Sequence, residues 1–365
     1  MKILVCINND VGLYNFRKEL LERLIKDGHR VCLSLPYGKK IEDLKLMGCE
    51  FVDTSIDRRS INLIKDLKLI FFYYKLLKKY KPDVVLTYTI KPNIYGGIVC
   101  RFLNISYIEN ITGLGAVNEK TGLLKKILIK LYKIALKKSS CVFFQNKSNM
   151  DFLLGLGAVK NNYRLIPGSG VNLTENKFEK YLEDDNVVRF LFAGRVYKIK
   201  GIDELLEAIK IIKSKYNNIY FDIVGFAEKD YDNSLLWQLH KNNMLVYHGY
   251  KEENVHEFIK NSHAVILPSY SEGMSNILLE SAACGRPILA SNIPGCKEIC
   301  EDGVTGFLFK PKSVESLVEA IEKFLKLPYG KKIEMGKAGR KKVEKEFDRN
   351  LVIDAYIQEI NKIKN

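Results

Sequence analysis

At 365 residues, 47% apolar and 28% charged, the chain is too long for one comfortable hydrophobic core and too apolar for disorder, so two domains of roughly 170–190 residues are expected. No apolar run approaches the ~20 residues that cross a bilayer, MKILVCINND is too short an apolar run for a secretory leader, and eight cysteines without a C-x2-C pair exclude a disulfide framework or zinc site. The net charge of +15 sits wholly in residues 1–170, with 29 basic against 14 acidic side chains, while 171–365 balance at 29 against 29; this suggests an anionic partner such as a membrane surface, a phosphorylated lipid or nucleic acid, the alternative being that the lysines serve solubility alone.

Along the first half, short β-branched runs alternate with amphipathic segments. Strands are expected at KILVCIN (2–8), RVCLSLP (30–36), CEFVDTS (49–55), DVVLTYT (83–89), SYIENI (106–111) and CVFFQN (141–146). Between the first two, Phe16, Leu20, Leu21 and Leu24 recur at helical spacing, in a helix that starts near Asn15 and ends at Gly28. Two lysine-rich helices follow. The first (61–81) carries the aromatic cluster Phe71 to Tyr74; the second (123–138) sets Lys126, Lys130, Lys133 and Lys137 on one face and Leu123, Leu124, Ile127, Leu131 and Ile134 on another. Both suit an interfacial helix on an anionic bilayer, and equally a core-packed helix with solvated lysines.

The stretch IPGSGVNLTENKFEKYLEDDN (166–186), rich in turn formers and acids, is the expected linker. Alternation resumes with VVRFLFAG (187–194), NIYFDIVG (218–225), MLVYHGY (244–250), HAVILPS (263–269), RPILASN (286–292) and TGFLFKP (305–311), before a charged helical end from about 313 to 363. The fold class is therefore α/β: two doubly wound, Rossmann-like domains, 1–170 and 171–365, facing a cleft.

Ligands of open α/β sheets bind beyond the carboxyl ends of the strands, so the residues there are the candidates. After the first strand, Gly12 could let backbone approach a ligand, but no G-x-G-x-x-G follows and a dinucleotide site is not expected. After FLFAG, Arg195 and Lys200 stand at a strand end and a helix start, placed to share a diphosphate; Arg195 could equally pair with an acidic neighbour. After HAVILPSY comes SEGMSNILLE. Its Glu272 and Glu280 are the only charged residues in an otherwise apolar stretch, with no local partner. Eight helical residues advance about 12 Å, too far for the acid/nucleophile couple of a retaining glycosidase. Two carboxylates that far apart suit the hydroxyls of two parts of one elongated ligand, such as a sugar and a ribose; the alternative is a capping Glu272 and a chance buried Glu280.

E-x7-E at Glu272 and Glu280, Gly194-Arg195 with Lys200-Gly201, the G-x-P-I run from Gly285 to Ile288 and EDGVTGFLF (301–309) together resemble glycosyltransferase family 4 over essentially the whole chain. These are retaining, nucleotide-sugar-dependent enzymes of the GT-B fold. YNFRKELLERL (14–24), TYTIKPNIYGG (87–97), ITGLG (111–115) and LIPGSGVNL (165–173) resemble a narrower group within it. That group adds sugars, often N-acetylated hexosamines, to polyprenyl-diphosphate-linked glycans for capsule, O-antigen or protein glycosylation.

The resemblance implies a first domain that binds the acceptor and a second that binds a nucleotide sugar, UDP-sugar foremost, with room for the last helix to return to the first. Arg195 and Lys200 would bind the donor diphosphate, Glu272 the transferred sugar and Glu280 the ribose. Gly273, Met274, Ser275 and Asn276 would offer amides to phosphate and sugar, with Gly12, Gly194 and Gly225 lining the donor site. Asn9, Lys91, Asn93 and Thr112 are the acceptor-side candidates. Neither metal nor cofactor is implied, because the basic pair meets the diphosphate charge. The implied partners are a nucleotide sugar, a lipid-linked glycan and an anionic membrane surface, with no nucleic acid. The implied place is the cytoplasm, peripheral on the inner face of the cell membrane. One departure stands out: where many members carry a histidine, this chain has Tyr88, Ile90 and Lys91, and its histidines lie at 29, 240, 248, 256 and 263. Rival readings are a GT-B nucleotide-sugar 2-epimerase, which would need no acceptor, and a non-catalytic basic membrane- or nucleic-acid-binding protein, which leaves E-x7-E unexplained.

Overall fold

The computed structural model describes residues 1–57, 62–114, 122–251 and 255–364. The chain divides into two compact units, Met1–Ser169 with Asn350–Asn365, and Gly170–Arg349.

In the first unit the order is β1 (Lys2–Cys6), α1 (Asp10–Lys26), β2 (Arg30–Leu35), α2 (Ile41–Leu46), β3 (Glu50–Asp53), α3 (Leu63–Tyr80) and β4 (Val84–Tyr88). A π-helical turn (Pro92–Gly96) then leads into α4 (Gly97–Leu103), β5 (Ser106–Ile111), α5 (Gly122–Leu136), β6 (Cys141–Phe144), α6 (Lys147–Gly155) and β7 (Tyr163–Leu165). The seven strands pair in the order β3-β2-β1-β4-β5-β6-β7, all parallel. Alternate residues of β1 feed opposite faces. Ile3 and Val5 pack with Leu13, Leu20 and Leu24 of α1, whereas Leu4 and Cys6 pack with Leu69, Tyr73 and Leu77 of α3. Burial on both faces is why this strand reads as a continuous apolar run.

The second unit contains β8 (Val188–Ala193), α7 (Ile202–Lys215), β9 (Ile219–Val224), α8 (Ser234–Lys241), β10 (Val246–Tyr247), α9 (Val255–Lys260) and β11 (Ala264–Leu267). It continues through α10 (Asn276–Ala283), β12 (Ile288–Ser291), β13 (Gly306–Phe309), α11 (Val314–Leu325) and α12 (Tyr329–Glu346). Its six parallel strands are ordered β10-β9-β8-β11-β12-β13. In α7, Ile202, Leu205, Leu206, Ile209 and Ile212 form the buried stripe that seats the helix on the sheet. The last helix, α13 (Arg349–Lys364), sets Val352 and Tyr356 into the first unit's core. Both units are doubly wound, Rossmann-like α/β folds.

Several expectations need correction. Helix α1 starts at Asp10, not near Asn15, because the Asn9 side chain accepts the Gly12 N–H at 2.6 Å and caps it. The expected linker is not free chain beyond residue 170: Val171 and Tyr181 are buried, the Tyr181 hydroxyl donates to the His263 carbonyl, and Arg286 donates to the carbonyls of Glu179 and Lys180. The three-residue β7 was not expected. In the aromatic cluster, Tyr73 is fully buried and only Phe71 is exposed, so the outward apolar face of α3 is Leu63, Ile64, Leu67 and Phe71. Gly115 of ITGLG and Ile61 of the first lysine-rich segment lie outside the described residues.

Candidate functional site

In the second unit the loops after β8, β9 and β11 lie at the carboxyl edge of one sheet. Gly194 and Gly225 end β8 and β9 so close together that a Cβ on Gly225, whose φ is +146°, would stand 1.7 Å from the Gly194 carbonyl oxygen. Beyond this contact Arg195 reaches Glu228, Nη1 to Oε1, at 3.0 Å. Arg195 is half exposed while Glu228 is buried, so the guanidinium is held at one end and open at the other. Lys200 follows on a 3-10 turn. Gly201 then turns left-handed at φ +69°, where a Cβ would stand 1.9 Å from the Pro268 carbonyl oxygen, and α7 begins. That close approach brings the Lys200 loop against the loop after β11.

Lys200 Nζ meets Glu272 Oε1 at 2.5 Å, both side chains being largely buried. Glu272 is therefore not unpartnered: each of the two expected diphosphate ligands already holds a carboxylate. Gly295, at φ +85°, supports the Glu272 loop, since a Cβ there would crowd Glu272 and the Gly273 carbonyl oxygen; the Ser275 N–H donates to its carbonyl at 2.9 Å. That amide is already in use, and Met274 is buried. Helix α10 starts at Asn276 with no side chain capping its first turn, which leaves that end open to an anion. Glu280 lies one turn before the helix end. Burial pushes its carboxyl up to about 7, with Arg349 pulling it down and Glu175 adding to the rise.

Motif reasoning did not reach Glu228 or Gly295, which lie far along the chain from the residues they hold. The chain also carries an Asp-x-Asp triplet, Asp230-Tyr231-Asp232, a spacing that can hold a metal ion in other proteins. Here Asp232 accepts the Ser234 N–H and Tyr231 donates to Asp203; among the described residues no group of three His, Cys, Asp or Glu side chains is placed to hold a metal.

In the first unit the acceptor-side candidates follow β1, β4 and β5. Asn9 is the α1 cap, and Gly12 lies inside that helix with its N–H spent on Asn9, so it is not the loop glycine expected. Asn93 is buried in the π-helical turn and donates to the Asn110 carbonyl at 2.8 Å, which removes it from direct ligand contact. Thr112 is half buried after β5. Lys91 pairs with Asp66 at 2.7 Å on the wall of a cavity of about 460 Å³, shared with Asp57, Lys65, Lys68 and Phe72.

The family model described as glycosyl transferase 4-like matches residues 2–146, and that described as glycosyl transferases group 1 matches 174–342. Sucrose-phosphate synthase from Thermosynechococcus elongatus superposes with a TM-score of 0.83 at 19% identity, over 100% of this chain and 99% of that one. The chain is a family 4 glycosyltransferase of the GT-B fold. An N,N'-diacetylbacillosaminyl-diphospho-undecaprenol alpha-1,3-N-acetylgalactosaminyltransferase of Campylobacter jejuni is 26% identical to this glycosyltransferase, covering 95% of both chains. A UDP-Gal:alpha-D-GlcNAc-diphosphoundecaprenol alpha-1,3-galactosyltransferase of Escherichia coli is 29% identical over 72% of this chain and 71% of its own. No described helix of the glycosyltransferase is long and apolar enough to cross a membrane.

Proposed function

We propose that the enzyme moves a hexose or N-acetylhexosamine from a UDP-sugar to a hydroxyl of a polyprenyl-diphosphate-linked glycan, with retention at the anomeric carbon. The observation that carries this reading is the constellation in the second unit: Arg195 and Lys200 on the loop between β8 and α7, Glu272 against Lys200, Glu280 behind, and the uncapped start of α10. Such a site matches the anions and hydroxyls of a nucleoside diphosphate sugar, and the activities of the two relatives support the donor and acceptor classes.

On binding, the diphosphate replaces Glu272 as the partner of Lys200, and the freed carboxylate accepts from the sugar hydroxyls. The bond from the anomeric carbon to the diphosphate oxygen breaks as the acceptor oxygen bonds on the same face, and the acceptor proton passes to the departing diphosphate. Arg195 and Lys200 act where charge develops, each contributing a few kcal/mol. Glu280 takes the ribose hydroxyls. The basic pair stands in for a divalent ion.

The first unit is assigned the acceptor. In the cavity beside Lys91, the carboxylates of Asp57 and Asp66 and the ammonium groups of Lys65, Lys68 and Lys91 offer acceptors and donors to sugar hydroxyls next to the Phe72 ring. Its excess of positive charge and the exposed apolar residues of α3 and α5 support peripheral attachment at the cytoplasmic face of an anionic membrane.

The test is a UDP-sugar screen against a synthetic polyprenyl-diphosphate sugar, with the linkage read by NMR. An α-linked product is expected from an α-linked donor, and its rate should survive chelator. A β-linked product, turnover of UDP-sugar to its epimer without acceptor, or chelator inhibition relieved by manganese would each overturn the corresponding part.

A further inference from the structure

Two tyrosines cross-brace the loops that carry the donor-side residues. The first turn of α7, directly after Lys200 and Gly201, presents Asp203 and Glu204. Each accepts a hydrogen bond from a tyrosine on a different strand-end loop. The Tyr270 hydroxyl lies 2.6 and 2.7 Å from the two carboxylate oxygens of Glu204, its backbone N–H donates to the Ile199 carbonyl at 2.9 Å, and Lys312 Nζ stands 4.9 Å from its ring centre. The Tyr231 hydroxyl donates to Asp203 Oδ1 at 2.5 Å, and its N–H donates to the Glu228 carbonyl at 3.1 Å. Tyr270 is two residues from Glu272, and Tyr231 is three from Glu228, the carboxylate that holds Arg195.

We propose that Tyr270–Glu204 and Tyr231–Asp203 are positioning pairs, the first setting Glu272 against Lys200 and the second setting Glu228 against Arg195. This rests on the assignment of Arg195 and Lys200 to the donor diphosphate. The resting protein has the Lys200–Glu272 ion pair to hold the two loops in register, but a diphosphate that takes Lys200 removes that tie. The phenol–carboxylate bonds involve neither Arg195 nor Lys200, so they keep the spacing once the ion pair has opened. A phenol bonded to both oxygens of a charged carboxylate also leaves little freedom of rotation on either side.

UDP affinity by calorimetry tests this, with thermal unfolding as the check on folding. Tyr270→Phe and Tyr231→Phe should each weaken UDP about tenfold, as the loops that carry Glu272 and Glu228 lose their placement in the bound state, with melting temperatures within a few degrees of the parent. Glu204→Ala should match Tyr270→Phe, the double variant should be no weaker than either, and Glu204→Gln, whose amide oxygen still accepts, should recover most of the affinity. Additive losses, losses that follow the melting temperature, or no recovery with glutamine would overturn the proposal. Arg195→Ala separates the two levels. If it weakens UDP while Tyr270→Phe and Tyr231→Phe do not, the positioning pairs fail alone; if the parent does not bind UDP, or Arg195→Ala leaves its affinity unchanged, the donor assignment fails and the pairs fail with it.

Discussion

Burial pushes the Glu280 carboxyl up to about 7, so in the free enzyme it is mostly protonated at pH 6 and mostly ionised at pH 8. A carboxylate accepts from two ribose hydroxyls better than a neutral acid, so UDP-glucose, whose own phosphates do not titrate in this range, should bind about tenfold tighter at pH 8 than at pH 6. Glu280→Gln should flatten the profile, and an equally steep profile in the variant would remove Glu280 from the ribose. The same raised value has a stability consequence. The contribution of the protonated group is complete below the ordinary carboxyl value of 4.5 and is lost as the pH rises through about 7. Glu272 is held by Lys200 in an ion pair at rest. Glu272→Gln should lower turnover about 10²-fold, while UDP binds as tightly or tighter because Lys200 loses its counter-charge; turnover unchanged from the parent would take Glu272 out of the mechanism. The motif was legible because two charges in an apolar stretch demand a partner. Which partner was not, since Lys200 and Glu272 lie 72 positions apart and Arg195 and Glu228 lie 33 apart, distances that only the closed sheet removes.

Strands buried on both faces were legible in place, with each end within two residues of the expectation; HAVILPS (263–269) forms only Ala264–Leu267. SYIENI was expected at 106–111 and forms Ser106–Ile111, while KILVCIN loses only its last two residues. Legibility failed where pairing rather than burial makes the element. β7 is three residues long with Tyr163 and Leu165 exposed, too short to show a period, and β10 keeps two residues of the seven in MLVYHGY. The π-helical turn at Pro92–Gly96 has no periodicity of its own to read. Glycines at loop crossings carry the opposite kind of information. Gly201 was legible as part of a motif, but its role is steric, in a left-handed conformation with the Pro268 carbonyl where a side chain would begin. Gly201→Ala should cost about 2–4 kcal/mol in chemical denaturation, from the disfavoured backbone and the displaced neighbour together. UDP binding should fall with it, because the Lys200 and Glu272 loops meet at this crossing. A variant as stable as the parent would mean that the loops part without penalty.

Charge separates the two units more sharply than fold does, for both are parallel Rossmann-like sheets yet the whole excess of +15 lies within residues 1–170. Composition makes this visible without any structure; which side chains face outward it does not reveal. On α5, Lys126, Lys130, Lys133 and Lys137 are all exposed, with Leu123 at 74% and Ile127 at 45% exposure beside them, and only Tyr132, Ala135 and Leu136 are buried. A helix that anchors by its last turn and presents lysines around exposed leucine and isoleucine has the composition of an interfacial segment. Replacing the four lysines with glutamine should reduce cosedimentation with phosphatidylglycerol vesicles by several-fold per charge at low salt. The parent should lose its binding as ionic strength rises and the screening length falls towards ~8 Å. UDP affinity, which we assign to the second unit, should not change. Replacing Leu123 and Ile127 with serine should weaken the binding that survives high salt, which separates apolar insertion from electrostatic attraction. Vesicle binding equal to the parent in both variants would place the membrane contact elsewhere, and the outward face of α3, with Leu63, Ile64, Leu67 and Phe71, would be the next to substitute.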